Sequence, residues 1–102
     1  MGAEGELKKL VIDYLHIKQN QGELMFLRLN AGMILIGKRR IQLVPPGTAD
    51  FLVIQRGEAI FIELKGERGK LTEAQEAFGA MAEHHGAKYI IARSLEDLLA
   101  IC

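Results

Sequence analysis

Residues 45–75, PPGTADFLVIQRGEAIFIELKGERGKLTEAQ, decide how this chain folds. Two apolar runs, FLVI at 51–54 and AIFIEL at 59–64, flank QRGE at 55–58. That tetrapeptide is a hairpin-like turn, which folds the first run back on the second as an antiparallel pair. Such runs belong in a sheet core, where a charge is costly unless it is paired or bound to a metal. Yet Asp50 stands just before the first run, and Glu63 and Lys65 lie at the end of the second. Side chains alternate across a strand, so Phe61, Glu63 and Lys65 share one face while Ile60, Ile62 and Leu64 share the other. The pattern predicts Glu63 and Lys65 side by side at the strand's end, beyond its buried segment. The start of one antiparallel strand lies near the end of its partner, so Asp50 is expected at the same edge.

Two carboxylates within reach of each other repel unless a cation sits between them. An all-oxygen donor set suits Mg²⁺ or Mn²⁺ rather than zinc, and the backbone carbonyl of Leu64 is a further candidate ligand. A metal held there polarises a phosphoryl oxygen and lowers the pKa of a bound water. Lys65 beside it orients that water or neutralises charge on a phosphate in the transition state. The set is the apparatus for phosphodiester hydrolysis. A plainer reading stands beside it: Glu63 and Lys65 as a weak same-face ion pair, and Asp50 as a turn cap after Pro-Pro-Gly.

Outward from this stretch, the N-terminal segment from Glu4 to about Ile17 carries apolar residues at Leu7, Leu10, Val11, Tyr14 and Leu15, the spacing of an amphipathic helix that NQG at 20–22 ends. ELMFLRLN and MILIGKRRIQLV read as apolar and strand-like, with Gly32 and Gly37 as punctuation, and Pro45, Pro46 and Gly47 break the chain before the hairpin. Thr72 and Gln75 form a capping box opening a helix that runs to His84 or His85 and stops at Gly86. KYIIA at 88–92 reads as a short buried strand, and SLEDLLAI as a last helix with a Ser-x-x-Asp start. The order, one helix, about four strands, then helix, strand and helix, is an α/β domain with a central mixed sheet flanked by helices.

The composition bounds the rest. At 102 residues, 49% hydrophobic and 25% charged, the chain is a single globular domain, residues 1–102. Its apolar runs are too short to span a bilayer, and MGAEGELKK has no apolar signal region, so a cytosolic protein is expected. One cysteine, Cys102, excludes a disulfide framework and a zinc cluster. Thirteen basic and thirteen acidic residues cancel, but two cationic clusters stand out: Lys38, Arg39 and Arg40, and Lys65, Arg68 and Lys70. As a bland alternative, both are ordinary solvated surface. His84 and His85 suit a helix C-terminus, where the dipole favours a cation, and His16 a helix end.

The series Gly-x-x-Asp at 47–50, FIELK at 61–65, GKLTEAQ at 69–75 and YIIARSLEDL at 89–98 resembles the PD-(D/E)xK nuclease superfamily, and within it the VRR-NUC domain. EGELKKLVIDYL at 4–15 resembles that domain's first helix, which begins with a glutamate; support is weakest over 24–44. The resemblance implies a restriction-endonuclease-like core and divalent-metal-dependent DNA cleavage. It makes Asp50 and Glu63 metal ligands, Lys65 the catalytic lysine, and Gln75 a polar residue facing the site from the helix start. The capping box competes for Gln75. Glu4 matches the first glutamate. At 100° per residue it falls within roughly 60° of the apolar stripe's centre, while Glu6 is roughly 100° away; a solvated first-turn acid is the alternative. Lys38, Arg39, Arg40, Arg68 and Lys70 become candidate phosphate contacts, which position DNA without reading sequence. Stand-alone members resemble Holliday-junction resolvases and act as homodimers, so the implied partners are DNA, branched or duplex, and a second copy of the chain; four-way junction, flap, fork and plain duplex all stay open as substrates. A compact nuclease of this kind suits a phage or mobile element by analogy alone. A second class of function stays open: a nucleic-acid-binding or assembly module of the same fold that has lost turnover.

Overall fold

The computed structural model describes residues 3–29, 33–42 and 44–102. Elements follow in the order α1 (Ala3–Asn20), β1 (Met25–Arg28), β2 (Met33–Ile36), β3 (Arg39–Gln42), β4 (Phe51–Gln55), β5 (Glu58–Leu64), α2 (Glu73–His84), β6 (Lys88–Ala92) and α3 (Leu95–Leu99). Four strands make the central sheet in the order β1-β4-β5-β6. β1 and β4 pair antiparallel, as do β4 and β5, whereas β5 and β6 are parallel. The sheet is therefore mixed, and α2 is the connection that a parallel neighbour requires.

Each element has a local cause. The turn between β4 and β5 puts both Arg56 (φ 53°) and Gly57 (φ 78°) at positive φ, which matches the twist of a two-residue hairpin. α1 extends three residues beyond the expected Ile17. Its Leu7, Val11 and Leu15 are buried, but Leu10 faces solvent, because at 100° per residue it lies off the side that meets the sheet. MILIGKRRIQLV is not one strand. Gly37 sits at φ 63° and Ile36 faces Arg39, so the run folds back as the β2–β3 hairpin, a second sheet of its own, and five strands rather than four precede α2. The α3 start also differs from expectation: Ser94 makes no side-chain capping bond, and Asp97 instead accepts from the Arg93 N–H at 2.8 Å.

The two faces of the sheet are covered unequally. Phe26, Phe51, Val53, Ile60, Ile62, Leu64 and Ala92 turn one face toward α1 and α3, forming the core with Leu7, Val11, Leu15 and Leu98. On the other face Phe61 meets Phe78 of α2 edge-on at 5.0 Å between ring centroids, and Phe78 leans on Tyr89 of β6 at 6.2 Å. Gly79 lets α2 come this close, since a Cβ there would lie 2.6 Å from the Tyr89 ring. KYIIA is half-buried rather than buried along most of its length. Cys102 is tied down, not frayed: its N–H donates to Leu98 O at 2.8 Å and its carbonyl accepts from the Tyr14 hydroxyl at 3.0 Å. Burial pushes its thiol pKa up, the opposite of an activated nucleophile. Among the described residues no helix is long and apolar enough to cross a membrane.

Candidate metal-binding and phosphodiester-cleaving site

Register brings the two acids together. Phe51 faces Ile62 across the β4–β5 pair, so Asp50 and Glu63 are the next opposing positions and lie on one face. The Asp50 backbone is held on its other side, where its carbonyl accepts from the Leu29 N–H at 2.8 Å. Its side chain turns along the sheet end, and Oδ2 accepts from the Leu64 N–H at 2.8 Å. The Asp50 carboxylate thus fills the ladder position that β4 vacates at its first residue.

Glu63 does not lie beyond the buried segment. It is 4% exposed, the buried charged residue among the described ones, because α2 covers the strand end from the sheet's second face. Its Oε2 accepts from Gln75 Nε2 at 3.2 Å. Its Oε1 is buried and receives no hydrogen bond from a donor group, while the Asp50 carboxyl lies within hydrogen-bonding reach of the Glu63 carboxyl, so a proton on one is shared with the other. Burial first, and then the Asp50 charge, pushes the Glu63 carboxyl up to about 8. Asp50 is raised too, by burial above all, while the Leu64 N–H and Lys8 pull it down. Two acids in one dry corner do not both ionise readily without a counter-cation.

Gln75 resolves the competition between cap and site by using both ends of its amide. Oε1 accepts from the Thr72 N–H at 2.9 Å, and Thr72 Oγ1 accepts from the Gln75 N–H at 3.1 Å, which is the capping box; Nε2 is left for Glu63. The helix start and the carboxylate are therefore locked to one side chain. The PPGTAD loop is locked to the same turn of α2. Gly47 has φ 86°, and a Cβ on it would run into the Ala74 carbonyl. Only glycine allows the loop carrying Asp50 to pack this closely on the helix carrying Gln75.

The other sequence candidates divide. Lys65 follows directly on β5, half-exposed, and its charge opposes the rise in the Glu63 pKa. Glu4, exposed on the first turn of α1, adds its negative charge to the field on both acids. It does not join them as a third donor: among the described residues no three His, Cys, Asp or Glu side chains are close enough to hold an ion. Arg68 and Lys70 are exposed on the segment after Lys65. Lys38, Arg39 and Arg40 are exposed on the separate β2–β3 sheet. His84 and His85 meet edge-on at the end of α2.

Three residues carry no role in the sequence reading. Lys8 lies one turn after Glu4, and that i, i+4 spacing was a legible signal. Tyr89 gave none, since its place depends on β6 docking beside β5. Its hydroxyl is buried without a partner, and burial, then the charges of Glu63 and Asp50, hold its pKa at about 12. Arg93 closes over the segment after Lys65, with Nη1 donating to the carbonyls of Gly66 and Gly69 at 2.7 Å each.

The donor set fits a hard divalent cation. Two carboxyls converge, both made reluctant to ionise, and one keeps a buried oxygen that no donor group reaches. No protein-family model matches the chain, and neither does any curated protein. Among solved structures it is similar to one described as a VRR_NUC domain, with a TM-score of 0.67 and 20% identical residues over 99% of this chain and 95% of that one. The likeness extends over both chains almost end to end, and this protein has the VRR-NUC fold, a restriction-endonuclease-like mixed α/β domain.

Proposed function

We propose that this chain is a divalent-metal-dependent endonuclease that hydrolyses phosphodiester bonds in DNA. The observation that carries the reading is the buried Glu63 carboxyl, raised to about 8 beside Asp50, with no donor group on Oε1. Asp50, Glu63 and the Leu64 carbonyl would hold Mg²⁺ or Mn²⁺, which supplies polarisation of a phosphoryl oxygen and acidification of water. Asp50 is kept in place by the Leu64 N–H, and Glu63 by the Gln75 amide. Lys65, on the same face as Glu63, orients the attacking water or balances charge on the phosphate. Glu4 acts through its field on the two acids. Arg68 and Lys70 near the site, with Lys38, Arg39 and Arg40 on the hairpin, contact phosphates along the DNA.

The preferred substrate under this reading is branched DNA such as a four-way junction, cut by a homodimer. A two-fold pair of sites matches a two-fold junction, and C2 pairing is the commonest oligomer. An open apolar surface supports it: Met25, Leu27 and Ile54 share the α2-side face of the sheet at 47%, 49% and 37% exposure. The deciding assay incubates labelled four-way junction and linear duplex with Mg²⁺, Mn²⁺ or EDTA, using wild type and Lys65→Ala. The expected result is paired symmetric nicks in the junction, lost with EDTA and with the variant. Equal cutting of both substrates removes the branched preference but keeps the nuclease. Tight binding to the junction with no cutting makes the chain a binding module instead.

A further inference from the structure

Arg93 has an unusual set of partners for an exposed side chain. Its Nη1 reaches three backbone carbonyls of one short segment: Gly66 O at 2.7 Å, Gly69 O at 2.7 Å and Glu67 O at 3.4 Å. The segment is a turn, closed by the Gly69 N–H donating to Gly66 O at 3.1 Å. Lys65 leads into it, Arg68 lies within it and Lys70 leaves it. The Arg93 backbone is itself fixed, its N–H on Asp97 Oδ2 at 2.8 Å, and the Lys65 N–H donates to Ala92 O at 3.1 Å. β6 therefore grips the strand end carrying Lys65 twice, once through the ladder and once through the guanidinium.

Two physical consequences follow. A turn with two glycines has many conformations to lose, and a charged donor on its carbonyls selects one of them. Carbonyls converging on one point also form a patch of negative partial charge, unfavourable beside a DNA phosphate, and a guanidinium set among them cancels it. We propose that Arg93 is a positioning residue of the site: it holds the 66–69 turn so that Lys65, Arg68 and Lys70 meet the scissile phosphate, and it masks the turn's carbonyls from the DNA. The catalytic consequence rests on the nuclease reading above; the hold on the turn does not.

The test uses the full chain with Arg93→Ala and Arg93→Lys, and two readouts. The first is limited trypsin digestion, since Lys65, Arg68 and Lys70 are cleavage sites within or beside the turn. Cleavage there is expected to be at least ~10-fold faster in Arg93→Ala, with an unchanged melting temperature, and intermediate in Arg93→Lys. The second is Mn²⁺-supported cleavage of labelled DNA. kcat is expected to fall ~10- to 100-fold, the scale of a misplaced catalytic group, while the Mn²⁺ concentration that half-shifts the melting temperature stays the same. A turn as protected in Arg93→Ala as in wild type overturns the inference whether or not the chain cuts DNA. An opened turn with unchanged kcat overturns the catalytic part. A wild type that cuts nothing, with an opened turn in the variant, refutes the nuclease reading and leaves the hold on the turn standing.

Discussion

Glu63 concentrates the chemistry of the molecule in one side chain. Its folded carboxyl titrates at about 8 against an ordinary value of 4.5, so between these two the folded chain keeps a proton that the unfolded chain has lost. Stability must therefore fall as pH rises through that window, and the raised Asp50 pushes in the same direction. In EDTA the melting temperature is expected to drop steadily from about pH 5 to about pH 8, measured by differential scanning fluorimetry. Glu63→Gln carries no proton to lose. The decline should flatten, and the variant should be the more stable protein at the alkaline end. Millimolar Mn²⁺ should reverse the order, raising the wild type by binding the folded state and leaving the variant where it was. A wild-type melting temperature that rises with pH in EDTA contradicts the buried, proton-holding Glu63.

At the scale of elements, the site is a meeting of one hairpin, one loop and one helix start. Gly47 joins the last two, and Gly47→Ala meets both a positive φ and the Ala74 backbone. A cost of about 1–3 kcal/mol follows from the strained conformation alone. Because the loop must lift off α2, Asp50 moves with it, so weaker Mn²⁺ binding is expected alongside the lower melting temperature. Pro46→Ala, exposed in the same loop, serves as the control for calorimetry. Thr72→Ala weakens the cap without touching either end of the Gln75 amide. It removes the hydroxyl that accepts from the Gln75 N–H but leaves the amide free to reach Glu63. A loss of about 1 kcal/mol is expected in urea unfolding, with cleavage within a factor of a few of wild type. Gln75→Ala loses both contacts and should cost activity as well as stability.

The whole molecule is a sheet covered fully on one face and partly on the other. α2 shields β5 and β6 through Phe78 and leaves Met25, Leu27 and Ile54 over β1 and β4 in the open. If a second copy covers that face, Leu27→Lys should shift sedimentation equilibrium toward a folded monomer and remove any concentration dependence of the melting temperature, since Leu27 is half-exposed and outside the core. A variant that sediments like wild type places the dimer contact elsewhere. Much of this architecture was legible from local signals. The QRGE turn, the capping box at Thr72 and Gln75, and the Gly86 stop each act over a few residues. MILIGKRRIQLV misled because its apolar half and its cationic half suit one strand as well as a hairpin; Gly37 alone carried the turn. Glu63 was placed too far out because alternation along a strand says which face a side chain takes, not which helix will cover it.

By itself, then, the sequence determined that Asp50, Glu63 and Lys65 stand at one edge of one sheet face, because strand alternation and a two-residue turn set register through neighbouring bonds. It also determined the start of α2, where the Thr72–Gln75 capping box acts within one turn. Only the tertiary structure decided what surrounds those three: the Gln75 amide on Glu63, 12 residues apart, Gly47 against Ala74, and Arg93 on carbonyls 24 to 27 residues away. These contacts arise from how closely α2 and β6 dock on the hairpin, and that distance is set by packing of the whole core, which no short stretch of sequence encodes.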